Sequence, residues 1–267
     1  MNAAQMAIAD GLTIARRNAI KIRRVPDLLG FVILSPVMFV LLFAYVFGDS
    51  IEIPGMSYRE FLVPGIFVQT MIFGASLTGL GLIEDLQKGI IDRFRTLPMA
   101  ASAVLIGRSA SDVIANAVSL VAMALVGLLV GWRIHSTPQQ AMLGFALLLL
   151  FAFAFSWVMA VVALAIRTPE VYNNAGFMVI FPLSFIANTF VDATRLPGPL
   201  QVIADWNPVS AITQAARELF GNTSAAMPVP DVWPLRHSVL ASLLWTALIL
   251  VVFMPLATWR YKKAVSR

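Results

Sequence analysis

The sequence contains no cysteine, which excludes disulfide bridges, thiolate nucleophiles and cysteine metal ligands. Charge is also scarce. Only 12% of the 267 residues are Asp, Glu, Lys or Arg, against about 25% in an ordinary soluble domain. There is no G-x-x-x-x-G-K-[ST], so the chain binds no nucleotide through a P-loop, and there is neither H-E-x-x-H nor G-x-S-x-G. The two histidines, His135 and His237, stand far apart in the chain beside the ends of apolar runs and do not suggest a metal or acid–base pair. No internal repeat or low-complexity tract is visible. These absences leave no catalytic residue, no metal ligand set and no cofactor site to assign, and they argue against an enzyme.

The missing charges are missing in blocks. Six stretches hold no Asp, Glu, Lys or Arg: 28–48, 61–83, 113–132, 141–166, 175–191 and 238–259. About 20 helical residues cross a hydrocarbon core of about 30 Å, and five of the stretches reach that length. The fifth is shorter, contains Pro182 and Asn188, and either extends back to Tyr172 or is kinked or partly re-entrant. The fold class expected is therefore an all-α integral membrane protein with six transmembrane helices. Its parts are a tail over 1–26, a membrane domain over 27–260 and a basic tail over 261–267. The run starting at Leu28 is longer than a signal core and ends in Phe43, Tyr45 and Phe47 rather than small cleavage-site residues, so it reads as a true span.

Lys and Arg give the orientation. With six spans, the two tails and the loops after spans two and four share one side and carry 14 basic residues, against 5 on the other. The positive-inside rule places both termini in the cytoplasm. It also accounts for the net charge of +5 without any nucleic-acid partner. In the N-terminal tail, Ile8, Leu12, Ala15, Ala19, Ile22 and Val25 share one half of a helical wheel. Arg16, Arg17, Lys21, Arg23 and Arg24 share the other half. This predicts an amphipathic helix lying on the membrane surface and ending near Pro26.

Between spans two and three, Glu84 to Met99 mixes both signs of charge with Leu86, Ile90, Ile91, Phe94 and Leu97 at helical spacing, and Pro98 ends the run. A plain connector could be much shorter, so this segment reads as a cytoplasmic docking helix. The longest segment between spans, 192–237, starts with the turn-rich Leu196-Pro197-Gly198-Pro199-Leu200. It continues with Asn207 as cap, Pro208 at the first helical position and Gly221 as stop. This predicts a helix over 208–220 that packs on the outer membrane surface or dips into it, with Trp206 and Trp233 at interfacial positions.

The spans carry neutral polar residues in place of charges: Gln69, Thr70, Thr78, Asn116, Ser119, Ser156 and Asn188. Most such groups bind helix to helix. Gln69, Thr70, Asn116 and Asn188 are the candidates for a polar spot in a passage. Arg108 and Asp112, four residues apart on one helix face just before span three, are expected to pair with each other. The lack of ionisable groups within the spans weighs against an ion-coupled secondary transporter or channel acting alone, whose proton relay would have to use Asp112. A membrane scaffold without a passage is a further alternative.

The loop Glu84…Gly89…Asp92-Arg93-Phe94-Arg95-Thr96-Leu97-Pro98 resembles the cytoplasmic loop of ABC type-2 transport permeases, the daunorubicin-resistance group in particular. Arg167-Thr168-Pro169-Glu170, Phe181-Pro182-Leu183-Ser184-Phe185, Leu196-Pro197, Asn207-Pro208 and Arg217-Glu218-Leu219-Phe220-Gly221 extend the likeness over nearly the whole chain. The resemblance implies a multi-pass permease of a bacterial inner (cytoplasmic) membrane, with an N-terminal interface helix, a coupling helix after span two and an outer re-entrant helix before the last span. It implies a dimer of identical or related permease chains in contact with membrane lipids. A separate ABC ATPase subunit would bind ATP and Mg, and the cargo would be amphipathic drugs or lipids. Coupling to that ATPase would fall to Glu84, Asp85, Lys88, Asp92, Arg93, Phe94, Arg95 and Pro98. Polysaccharide-exporting permeases share the plan, which leaves the cargo class open.

Overall fold

The computed structural model describes residues 26–46, 53–88, 101–166, 168–190, 194, 196–227 and 229–265. They form α1 (Pro26–Val46), α2 (Tyr58–Gln87), α3 (Ala101–Val130), α4 (Pro138–Ala163), α5 (Pro169–Ile186), α6 (Gly198–Asp205), α7 (Pro208–Phe220), α8 (Trp233–Arg236) and α9 (Ser238–Val265), with no strand among the described residues. The amphipathic helix expected before Pro26 and the greater part of the expected coupling helix lie outside the described residues.

The helices start where local chemistry supplies a cap. Ser57 accepts from the backbone N–H of Glu60 ahead of α2, Thr137 and Gln140 form a reciprocal capping box ahead of α4, and Thr168 accepts from the Val171 N–H ahead of α5. Asn207 caps α7, Pro208 follows it, and Gly221 ends the helix at φ 74°, a left-handed conformation that glycine adopts without penalty.

Among the described residues, four helices are long and apolar enough to cross a membrane: 58–87, 105–130, 138–163 and 238–263. α2 and α4 bury 67% and 61% of their most apolar stretches while α9 buries 17%. The first two are therefore the centre of the bundle, and α9 turns most of its apolar surface outward, as a helix facing lipid does. α2 packs against α1, α3, α4, α5 and α7, and α4 against α2, α3, α7 and α9.

Several boundaries differ from the sequence expectation. α3 begins at Ala101, so Arg108 and Asp112, expected on a helix face just before span three, lie within the same continuous helix as that span. Glu84 and Asp85 belong to the last turn of α2, not to a separate helix, and Lys88 closes that turn through its backbone N–H. α5 stops at Ile186, before Asn188. Gly198-Pro199-Leu200, part of the stretch 196–200 read as turn-rich, open α6, because Pro199 sits in its first turn where a missing N–H costs nothing. The basic residues after Trp259 continue α9 as far as Val265.

Candidate functional site

Two faces zip together along the centre of the bundle. On α3, Arg108, Asp112 and Asn116 recur every four residues and so share one stripe. On α2, Gly74, Thr78, Gly81 and Asp85 face them. The Arg108 guanidinium donates to Asp85 Oδ2 at 2.6 Å, and Thr78 Oγ1 donates to Asp112 Oδ2 at 2.5 Å. Arg108 therefore engages a carboxylate on the neighbouring helix rather than Asp112, contrary to the pairing expected from their four-residue spacing. The glycines make room. A Cβ at Gly81 would meet Arg108 Nη2 at 1.4 Å, and one at Gly74 would meet Asn116 Oδ1 at 1.8 Å. Beside this seam, Tyr172 of α5 donates to the Ser76 carbonyl at 2.6 Å across Gly79.

At one end the seam reaches the turn before residues 89–100. There Lys88 and Glu84 form an exposed i,i+4 pair at 3.3 Å, of small energetic value. Of the expected coupling residues, Glu84, Asp85 and Lys88 are thus placed together, and Asp85 is committed to Arg108. Asp92, Arg93, Phe94, Arg95 and Pro98 lie outside the described residues.

At its other end the seam opens into a cavity of about 520 Å³ between α1, α2, α3 and α5. Three of the four passage candidates, Gln69, Thr70 and Asn116, line it. Ser119, one turn beyond Asn116, lines it as well. The α5 wall is aromatic, with Phe177, Phe181 and Phe185 spaced four residues apart along that helix. Phe181 and Phe185 stack with ring centres 4.1 Å apart, and Phe177 meets Phe73 edge-on at 6.0 Å. No Asp, Glu, Lys or Arg lines the cavity among the described residues. Thr70 Oγ1 is spent on the Ile66 carbonyl at 2.8 Å. Gln69 Oε1 and Ser119 Oγ are buried and have no hydrogen-bond partner among the described residues. Ser119 was legible as the i+3 neighbour of Asn116, and the aromatic wall as an i, i+4, i+8 stripe.

Asn188, the fourth candidate, stands apart. It lines a second pocket of about 450 Å³ with Gln214, Arg217, Glu218 and Asn222. Arg217 is 3% exposed. Its Nε donates to the Phe61 carbonyl at 3.0 Å, and its Nη2 to the carbonyls of Asn188 and Thr189 at 2.9 and 3.2 Å. Its guanidinium lies 3.6 Å from the Phe61 ring centre. The Asn188 N–H donates to Ser210 Oγ at 3.2 Å, and Asn207 Nδ2 to the Leu183 carbonyl at 2.8 Å. The Leu183 carbonyl in the last turn of α5, and those of Asn188 and Thr189 just beyond it, are thus satisfied from α7 and its cap. Glu218, by contrast, accepts from Gln214 at 3.0 Å and from Ser238 at the start of α9. Phe220 fills an aromatic cluster with Phe67, Trp132 and Phe145. The sequence reading had α7 packing on the outer membrane surface or dipping into it; the helix is mostly buried among α2, α4 and α9.

Residues 11–220 match the family described as ABC-2 type transporter. The chain is 34% identical over 218 residues to the daunorubicin resistance ABC transporter permease protein DrrB1 of Streptomyces coeruleorubidus, covering 82% of this chain and 77% of that one. It is 26% identical over 218 residues to the putative transport permease ycf38 of Porphyra purpurea, covering 79% and 73%. It is 24% identical over 260 residues to the probable doxorubicin resistance ABC transporter permease protein DrrC of Mycobacterium tuberculosis, covering 96% and 90%.

Proposed function

The chain belongs to the ABC-2 type transporter family, and from that premise we propose that it moves amphipathic drugs or lipids outward across a bacterial inner membrane, driven by ATP hydrolysis in a partner. It is a multi-pass transport component and not itself an enzyme; permeases of this family work with a separate ABC ATPase. In this reading α1 and α5 join the four long apolar helices as spans, giving six, and both termini are cytoplasmic. A second permease chain, identical or related, completes the passage among membrane lipids.

The observation that carries the proposal is the convergence of Gln69, Thr70 and Asn116 on one uncharged cavity at the end of the α2–α3 polar seam. The seam's other end is the turn that enters residues 89–100. Glu84, Asp85, Lys88, Asp92, Arg93, Phe94, Arg95 and Pro98 would receive the motion of the ATPase there. Gln69, Thr70 and Asn116 would line the passage. Asn188 would border it from the α7 side, with α7 as the outer re-entrant helix. The names of DrrB1 and DrrC as drug-resistance permeases support a drug-like cargo here. An uncharged, aromatic-walled cavity favours that cargo over a polysaccharide. An ion-coupled mechanism through Asp112 has less support, since that carboxylate is held by Thr78 inside the seam.

The test is purification of the tagged chain from its native membrane followed by an ATPase assay on the eluate. A stoichiometric nucleotide-binding subunit with ATPase activity is the expected result. A chain that elutes alone, hydrolyses nothing and transports under an ion gradient would overturn the proposal.

A further inference from the structure

Gln69 is 5% and Ser119 is 1% exposed, yet Gln69 Oε1 and Ser119 Oγ have no partner among the described residues. Buried polar atoms are nearly always paired, and leaving one unpaired costs about 1–3 kcal/mol. Helix-to-helix binding accounts for some hydroxyls of the bundle, such as Ser156, which reaches Ser109 at 3.0 Å. Ser184 Oγ and Thr189 Oγ1 also lack a partner among the described residues but do not line this cavity; Gln69 and Ser119 do, and it is large enough for a small molecule. Asn116 lines the same cavity, seated against the α2 backbone by the space at Gly74. Three polar side chains thus line a cavity that Phe177, Phe181 and Phe185 line as well.

We infer that this cavity binds a ring-bearing apolar molecule through an uncharged hydrogen-bonding group, a hydroxyl or an amide, which Gln69 and Ser119 receive. The inference rests on reading the cavity as the permease's passage and names what that passage selects. A hydroxyl suits the site because it both donates and accepts, and a carboxamide and a serine hydroxyl can each answer either role. A full charge does not suit it. No counter-charge lines the cavity among the described residues, and an unpaired charge buried in apolar surroundings is far costlier than an unpaired hydroxyl. Asp112, the nearest carboxylate along α3, is one turn away and already accepts from Thr78. The phenylalanine faces offer the apolar body offset and edge-on ring contacts.

Four ligands of one shape test this: 1-pyrenemethanol, 1-methylpyrene, 1-pyrenecarboxylate and 1-pyrenemethylammonium. They would be titrated by fluorescence into nanodiscs holding the full chain with its copurified partners, with empty nanodiscs subtracted. The alcohol is expected to bind about tenfold tighter than the methyl compound and tighter than either ion. Gln69→Leu and Ser119→Ala should each shrink that preference toward unity while leaving the methyl compound's affinity within about twofold. This pattern differs from the uniform loss that misfolding produces, and Ser119→Ala keeps the test informative should Gln69→Leu fail to fold. Equal affinity for alcohol and methyl compound, a preference unmoved in both variants, or tighter binding of either ion would overturn the inference. An ATPase that copurifies while the alcohol gains nothing would sink the ligand class alone. Alcohol-selective binding by a chain that brings down no ATPase would sink the permease reading and keep the site.

Discussion

Arg217 carries a charge to a place that is 3% exposed, and what holds it there is three backbone carbonyls and a phenyl face. Charge-assisted hydrogen bonds are the stronger kind, and each buried carbonyl left without a donor costs about 1–3 kcal/mol. Arg217→Met should therefore destabilise the chain by about 3 kcal/mol or more, read as a lowered Tm in detergent. Arg217→Lys should recover only part of the loss, because a single ammonium lacks the planar fork that spans α2 and the end of α5. Equal Tm for wild type and Arg217→Met would show that the three contacts are incidental. Asp205, at the end of α6, is buried, and its Oδ1 has no partner among the described residues. Burial holds this carboxyl above the usual carboxylate range. A raised folded-state pKa means that the ionised form weakens the fold at neutral pH. That penalty fades as pH falls through the folded pKa toward the unfolded one. Asp205→Asn should thus raise Tm at pH 7, and the gap from wild type should narrow on acidification. A gap independent of pH would refute the sign.

At the level of the helices, α2 is the element against which the others are fitted, and its glycines mark where the fit has no slack. A Cβ at Gly65 would meet the Thr189 backbone carbonyl at 2.3 Å, whereas at Gly81 it would meet the far end of the Arg108 side chain. Backbone held by Arg217 has nowhere to go, while a guanidinium can swing aside. Gly65→Ala should cost about 1–3 kcal/mol by overpacking, and Gly81→Ala less, because what it meets is the far end of a flexible side chain. Thermal melts of the two variants side by side check the ranking, and a larger loss at Gly81 would reverse it. The same contrast explains what the sequence disclosed. α7 was readable to the residue because Asn207, Pro208 and Gly221 are local signals. Its burial was not, because nothing near Arg217 in sequence reveals that the carbonyls it serves come from residues 61, 188 and 189. α6 was missed because Gly198 and Pro199 punctuate a turn and a helix start equally well. α3 reaches back to Ala101 because its charges find partners on α2, a tertiary fact. Gln69, Thr70 and Asn116 were singled out by residue type, and α2–α3 pairing brought them together. Asn188, chosen on the same ground, lies past the end of α5 on the other side of that packing.

For the molecule as a whole, the arrangement of the seam decides how a partner's motion could reach the cavity. Residues 89–100 join the last turn of α2 to the start of α3, and Asp85 and Arg108 tie the two helices together at 2.6 Å close to that junction. If an ATPase docks on this loop as proposed, displacement of the loop moves α2 and α3 as a pair. Gln69 and Thr70 ride on one and Asn116 and Ser119 on the other, so the cavity walls turn relative to the aromatic face of α5. Charge reversal at Arg93 or Arg95 should then leave the chain folded and the ATPase bound or nearly so. Cargo-dependent stimulation of hydrolysis and transport should fall together by about tenfold, the scale of one lost charge-assisted contact. Asp85→Asn should also lower transport but, unlike the arginine variants, should lower Tm as well, because it breaks a helix–helix contact. Both effects can be read on one preparation by measuring hydrolysis with and without cargo, vesicle transport and a thermal melt. Transport and stimulated hydrolysis unchanged in the arginine variants would remove the loop from the coupling path. An Asp85→Asn variant that melts as wild type and still fails to transport would make that carboxylate a direct contact of the ATPase rather than a tie between α2 and α3.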